Sequence, residues 1–212
     1  MIDLHNVDCM EILKKLPDNS VDVIITDPPY DFVGYIKRQF HTEFMRVAKH
    51  AIVFSPPENQ WVKPADQILF WVKPVSTKNT SKNYARFVEM IFVYGEHVWN
   101  HDRHWSQYNN VFTDLVESKE HPYKKPLSLM TRLLLNHTNE GDMILDPFMG
   151  SGTTGEVCAL HNRSFIGVEK DPAMYEIARL NINKASGCED PPALKHAKLM
   201  QDHDDARFGE FK

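Results

Sequence analysis

The 212 residues, 42% hydrophobic and 25% charged, suit a single soluble globular domain large enough to bury a core. A net charge of −5 and a pI near 6.1 exclude a uniformly basic nucleic-acid coat. They leave room for a local DNA-facing surface. Lys73, Lys78, Lys82, Arg86, Arg103, Lys119, Lys124 and Lys125 make the middle of the chain basic, while acids gather near its end. No apolar run reaches membrane-spanning length and Met1-Ile2-Asp3-Leu4 is not a secretory start, so a cytoplasmic protein is expected. Cys9, Cys158 and Cys188 are too scattered for a disulfide framework or a zinc pattern.

Short apolar strands alternate with amphipathic helices, which predicts an α/β domain with a mostly parallel sheet and helices on both faces. Residues 10–16 form a short predicted helix closed by Pro17-Asp18-Asn19. Residues 21–26 are nearly all β-branched, as expected of a strand buried on both faces. A helix over 35–50 leads into a strand at 51–55, which Pro56-Pro57 ends. Strands at 68–73 and 86–94 flank a polar loop. From 97 to 120 periodicity disappears and the composition turns polar and aromatic. Pro126 opens a helix to 136. A strand at 143–146, a helix at 152–160, a strand at 164–169 and a helix at 172–184 complete the pattern. The domain is expected to span 1–186, with an insert at about 97–120 and a tail over 187–212.

Asp27-Pro28-Pro29-Tyr30 directly follows the strand at 21–26. Ligands of α/β sheets bind beyond the carboxyl ends of strands, so this tetrapeptide falls where chemistry should occur. The prolines stiffen the backbone and remove two amide donors, leaving acceptors unpartnered. The Asp27 carboxylate and the Pro28 carbonyl can accept hydrogen bonds from a base amino group, and Tyr30 offers a flat face. Such bonds favour pyramidalisation of the amino nitrogen and expose its lone pair to an electrophilic methyl. Alone, the tetrapeptide fits a proline-rich turn equally well. A second motif, Asp146-Pro147-Phe148-Met149-Gly150-Ser151-Gly152-Thr153-Thr154, reads as strand, glycine loop and helix. Seventeen residues beyond Gly152, the next strand ends in Glu169. An acid there can bind two ribose hydroxyls, while the glycines permit close backbone approach. With no Lys after the glycines, a ribose-bearing cofactor without a phosphate fits better than a nucleotide.

The order of these motifs, with His121-Pro122-Tyr123-Lys124-Lys125-Pro126 between them, resembles the β class of DNA amino-methyltransferases. In that class the catalytic half precedes the cofactor half. Leu4-His5-Asn6-Val7-Asp8-Cys9 and Phe165-Ile166-Gly167-Val168-Glu169-Lys170-Asp171-Pro172 match as well, so the resemblance runs from about residue 4 to 183. It implies a Rossmann-like methyltransferase fold and S-adenosylmethionine as cofactor, with no metal. Asp27, Pro28, Pro29 and Tyr30 would form the catalytic motif that holds and stacks the base. Phe148, Gly150 and Gly152 would shape the methionine pocket, with Asp146 nearby. Glu169 would bind the ribose, and Asp8 with Cys9 would border the adenine. Lys125 would lie near the cofactor carboxylate, and Ser151 or Thr153 would add a hydrogen bond or cap the helix.

Two departures from the class stand out. Asp31 follows Tyr30 where Asn is usual, and Lys49-His50-Ala51 replaces a glycine-rich turn. The short insert carries Arg103 and Asn109, nominated as DNA contacts on the chemistry by which Arg reads guanine and Asn reads adenine. Lys78 and Lys82 are nominated for phosphate. His97, His101 and His104 share a spacing that a helix could gather into a metal site, but no helical pattern supports one. The expected activity is N6 methylation of adenine in duplex DNA at a short recognition sequence, as in restriction–modification. Adenine is favoured over cytosine N4 because Ser more often opens the motif in cytosine enzymes. RNA or protein glutamine methylation, and a non-catalytic binding subunit, are the other readings. So small a reader suggests a homodimer.

Overall fold

The computed structural model describes residues 1–73, 87–96, 100, 104–115 and 124–187. Its elements in chain order are β1 (Ile2–His5), α1 (Cys9–Leu13), β2 (Val21–Thr26), α2 (Gly34–Val47), β3 (Ala48–Ser55), β4 (Gln67–Val72) and β5 (Val88–Gly95). They continue with β6 (Val111–Phe112), α3 (Leu127–His137), β7 (Met143–Asp146), α4 (Thr153–Leu160), β8 (Ser164–Val168) and α5 (Pro172–Ala185). The strands form one sheet of order β1-β8-β7-β2-β3-β5-β4-β6. Every neighbouring pair is parallel except the two that involve β5. The expected α/β sheet is therefore present and mostly parallel, and β5, antiparallel to both its neighbours, makes it mixed.

That reversal matters for position. Parallel strands deliver their last residues to the same rim, and β5 delivers its first ones there: Met90 lies opposite Ser55 at the end of β3. The two halves of the chain meet where β2 pairs with β7, through Val23 with Ile144 and Ile24 with Leu145. The strand order turns at this point, which is where open α/β sheets bind ligands.

Side chains alternate across the sheet. Val23, Ile25, Ile52 and Phe54 pack on one face against Leu129, Leu133, Val157 and Ile182 from α3, α4 and α5. Ile24, Ala51, Val53 and Leu145 pack on the other against Leu13, Phe40 and Phe44 from α1 and α2. The helices thus cover both faces. Two short strands, β1 and β6, extend the sheet at its edges beyond those expected. α2 ends earlier than predicted: Ala48 is already extended (φ −133°, ψ 146°), and Val21 and Val23 pair with Ala48 and His50. Sheet pairing wins there over a sequence that could continue the helix. Pro126 caps α3 from outside its first turn instead of opening it.

Phe44 is fully buried, stacked 6.1 Å from Trp61 and tilted against Phe40. Truncation leaves a cavity between α2 and the sheet. Phe44→Ala is expected to lower stability by about 3–5 kcal/mol. The check is a urea titration showing a lower midpoint at unchanged slope.

Candidate active site

β2 ends at Thr26, so the sheet presents Asp27 at its rim, and β7 ends at Asp146, which presents the glycine loop beside it. Between them lies a cavity of about 240 Å³ whose walls include Asp27, Lys125, Phe148, Gly150 and Thr153. Asp146 ties the two strand ends together. Its Oδ1 accepts from Thr26 Oγ1 at 2.7 Å and from Phe148 N at 3.1 Å, and its Oδ2 accepts from Thr154 Oγ1 at 2.7 Å. The carboxylate is only 3% exposed. Burial raises its pKa to about 6 despite those three donors, with the charge of Asp27 adding to the rise.

The glycine loop follows. Gly150 and Gly152 have φ of +52° and +86°, and an added Cβ on Gly150 would stand in open space. At Gly152 it would lie 2.9 Å from Ala178 Cα and Cβ, so this glycine allows α4 and α5 to approach closely and does not line the cavity. Glu169 reaches back to the loop. Its Oε2 accepts from Gly150 N at 3.0 Å and its Oε1 from Asp171 N at 2.8 Å, leaving one lone-pair direction on each oxygen. Asn6 bonds the carbonyls of Glu169 and Lys170 at 2.8 and 3.2 Å, joining the ends of β1 and β8.

Asp8 and Cys9 sit on that side of the sheet, outside the cavity wall. Asp8 caps α1 through Met10 N at 3.0 Å. The buried Cys9 thiol packs in the core, and burial first, then the Asp8 charge, pushes its pKa up to about 12. Ser151 and Thr153 are buried on the cavity wall. Phe148 packs edge-on against Phe32 (5.6 Å) and Phe40 (5.3 Å), which links the glycine loop to the segment after Tyr30.

Four charges form a chain that starts at the cavity wall with Asp27 and Lys125 and runs behind it to Glu89 and Lys73. Lys125 Nζ donates to Asp27 Oδ2 and lies 3.0 Å from Glu89 Oε2. The other Glu89 oxygen accepts from Lys73 Nζ. Phe54 and Trp71 rings flank the Lys125 ammonium at 5.0 and 5.7 Å. Burial alone would discharge this lysine, but the carboxylates of Asp27 and Glu89 outweigh it and hold its pKa well above the usual value. Burial also pushes the carboxyl of Glu89 upward, and the two ammoniums more than reverse that. Asp27 is raised, chiefly by burial, against the pull of Lys125. Its second oxygen, Oδ1, is buried with no hydrogen-bond partner.

Tyr30 is 38% exposed, and its hydroxyl lies 3.4 Å from Lys125 Nζ. Its carbonyl accepts from Asn59 Nδ2. Asn59 is itself held by the buried Lys37 of α2, whose Nζ donates at 2.6 Å to both the backbone and side-chain oxygens of Asn59. Pro28 is buried and Pro29 exposed.

Of the predicted residues, Asp27, Lys125, Asp146, Phe148, Gly150, Ser151 and Thr153 come together around the cavity. Tyr30 reaches the same charges through its hydroxyl, and Glu169 reaches the loop. Lys78, Lys82, Arg103 and the His121-Pro122-Tyr123 segment lie outside the described residues, as do His97 and His101. Asn109 is exposed at the end of a 3₁₀ turn, Trp105–Tyr108. Asn100 bonds the carbonyls of Leu135 and Thr138 at 2.9 and 2.8 Å, so part of the insert is pinned to the end of α3. Among the described residues no His, Cys, Asp or Glu cluster could hold a metal. Glu89, Asn59 and Lys37 were not anticipated. The one available signal for Glu89 was a lone acid in an otherwise apolar strand.

A nucleoside-sized cavity at the turning point of such a sheet, open to an acid on one side and a glycine loop on the other, suits group transfer from a nucleoside cofactor. The chain belongs to the DNA methylase family of N6/N4 methyltransferases, whose model matches residues 32–180. The type II methyltransferase M2.DpnII of Streptococcus pneumoniae is 27% identical over 239 residues, covering 84% of this chain and 88% of that protein. The crystal structure of the M1.HpyAVI–SAM complex superposes with a TM-score of 0.68 at 29% identity, covering 85% of this chain and 99% of the other. The cytosine-N4-specific PvuII DNA methyltransferase shares the fold at a TM-score of 0.60 and 14% identity, over 89% of this chain and 93% of that one. The protein is thus an S-adenosylmethionine-dependent DNA methyltransferase.

The buried Asp146 makes the site's stability depend on pH. Its folded pKa of about 6 lies above the 3.8 of the free group, so the folded state binds the extra proton. Its contribution therefore declines as pH rises from about 4 to about 6, by about 3 kcal/mol. Asp146→Asn does not titrate. Relative to wild type its stability is expected to improve across that window and to level off above it, as read by urea melts at a series of pH values.

Proposed function

We propose that the protein transfers the methyl group of S-adenosylmethionine to the N6 amino group of adenine in duplex DNA. The observation that carries the reading is the unpartnered, buried Oδ1 of Asp27 on the cavity wall, with Oδ2 already engaged by Lys125. One carboxylate oxygen is fixed and the other is left for a donor brought by the substrate. An exocyclic amino group is such a donor. Leaving this acceptor unpaired costs free energy in the absence of substrate, which is the signature of a group kept for binding.

The cofactor supplies a methyl group made electrophilic by its sulfonium. Glu169 would take the ribose hydroxyls on its free lone-pair directions, Gly150 would allow close approach, and Lys125 or Lys124 would face the carboxylate. Gly150, Lys124 and Lys125 line the cavity, and Glu169 stands on the Gly150 amide behind the loop. Asp146 acts one layer back, by bracing Thr26 and Thr154. A base within a duplex cannot reach the cavity floor, so it must be extruded, at a cost of a few kcal/mol. Tyr30, half-exposed at the mouth, would recover about 1–3 kcal/mol by stacking. Asp27 Oδ1 and the Pro28 carbonyl would then take the two amino protons in hydrogen bonds. Positioning and electrostatics do the work, with no covalent enzyme intermediate. Asn109 is our candidate for a contact to the flanking DNA.

Cytosine N4 is the alternative, since the PvuII enzyme shares the fold. Asp27 at the head of the motif favours adenine. Mass spectrometry of nucleosides from DNA treated with protein and S-adenosylmethionine is expected to find N6-methyladenine with wild type and none with Asp27→Ala. N4-methylcytosine would overturn the base assignment while keeping the fold and cofactor. Tyr30→Ala is expected to slow methylation by about 10- to 100-fold through lost base stacking, measured as initial rates on a fixed duplex.

A further inference from the structure

We propose that Glu89 is a positioning residue for methyl transfer, acting through Lys125 to fix which oxygen of Asp27 faces the substrate. This rests on the role proposed above for Asp27. Glu89 is 5% exposed and lies on β5, opposite Trp71 in register, so the reversed strand carries it to the rim where Asp27 emerges. Its carboxylate spans two lysines: Lys73 hydrogen-bonds one oxygen, and Lys125 forms an ion pair with the other at 3.0 Å without hydrogen-bond geometry. Lys125 is 9% exposed and its ammonium bridges Glu89 and Asp27. A buried ammonium with a single carboxylate would settle centrally over it and engage both oxygens. A second carboxylate behind it draws it to one side, so only Asp27 Oδ2 is engaged and Oδ1 stays open. Phe54 and Trp71 close the flanks and keep water from substituting for Glu89.

The charges that face Asp27 are Lys125, Glu89 beyond it and Asp146, and the Tyr30 hydroxyl, kept neutral by burial, stands beside them. Lys73 stands behind Glu89, and Lys124 lines the cavity paired with Glu156 at 2.6 Å. Removing the Glu89 charge lowers the pKa of Asp27, because the Glu89 carboxylate is one of the causes holding it up. Lys73 touches Glu89 and not Asp27, so removing its charge acts on Asp27 at a distance and, by the sign of the charge, in the opposite sense. The two changes therefore move the acid limb of the pH–rate profile in opposite directions.

The experiment is steady-state methylation of a DNA duplex by the full chain as a function of pH, for wild type, Glu89→Gln, Glu89→Asp and Lys73→Gln. Cofactor affinity is measured in parallel by calorimetry with S-adenosylmethionine. Glu89→Gln is expected to lower kcat by about 10- to 100-fold. Its acid limb moves to lower pH, and KM values and cofactor affinity stay within about twofold of wild type. Glu89→Asp recovers the position of the limb, and Lys73→Gln shifts it to higher pH. Should Glu89→Gln fail to fold, the Lys73→Gln shift carries the test alone. An unmoved limb in both variants overturns the proposal, as does a loss confined to cofactor affinity. Asp27→Asn separates the two readings. If it folds, binds cofactor and still methylates, the role of Asp27 fails. If it is inactive while Glu89→Gln behaves as wild type, only the inference about Glu89 fails.

Discussion

The site depends on one buried carboxylate. Asp146 gathers the hydroxyl that ends β2, the amide that starts the glycine loop and a hydroxyl in the first turn of α4. These come from the two halves of the chain, 120 residues apart at the widest pair. Hydrophobic contact alone would let the ends of β2 and β7 slide against each other, since such packing has no preferred direction. Three directed hydrogen bonds to an atom pair with no access to water remove that freedom. The raised pKa of Asp146 is the cost of putting a charge where geometry requires it, and it is why the catalytic and cofactor sides meet at a defined separation.

A second layer of charge stands on this frame. Lys125 joins it from the segment before α3, Asp27 from the end of β2, Glu89 from the start of β5 and Lys73 from the end of β4. Four elements contribute one charge each, and the sum is zero. A neutral buried cluster tolerates burial far better than any member alone, and losing one member leaves an uncompensated charge. The same cancellation keeps the cavity from repelling a cationic cofactor, while the free oxygen of Asp27 gives it a local negative edge.

Much of this was legible in the sequence, and the exceptions have physical causes. β2 and β7 fall where the nearly continuous β-branched run and the three apolar residues before Asp146 put them, because strands buried on both faces carry their signal in composition. The glycine loop and Glu169 were legible because close backbone approach leaves few residue choices. β1 and β6, with four and two residues, are too short to show a period, and only pairing with β8 and β4 makes them strands. The end of α2 was misplaced because Ala48, Lys49 and His50 suit either state, and the decision was made by β2 alongside. Lys125 was expected at the cofactor carboxylate from motif position alone. That it lies on Asp27 follows from Glu89, a residue 36 positions earlier that no local pattern connects to it. Charges paired across distant elements leave no trace in a window of sequence.

The junction of α2 and β3 has a consequence for how such chains can vary. Val47 ends the helix and Ala48 begins the strand, with no residue between them to absorb a change in length. Successive side chains of β3 face opposite cores: Ile52 and Phe54 one, Ala51 and Val53 the other. Deleting or inserting one residue here would exchange those faces wholesale or drag the helix a full residue along its axis. The tether from Lys37 through Asn59 to Tyr30 would follow the helix. Length variation is therefore barred from this corner of the molecule. The mouth of the site is held to a fixed length of chain by a joint that has no slack.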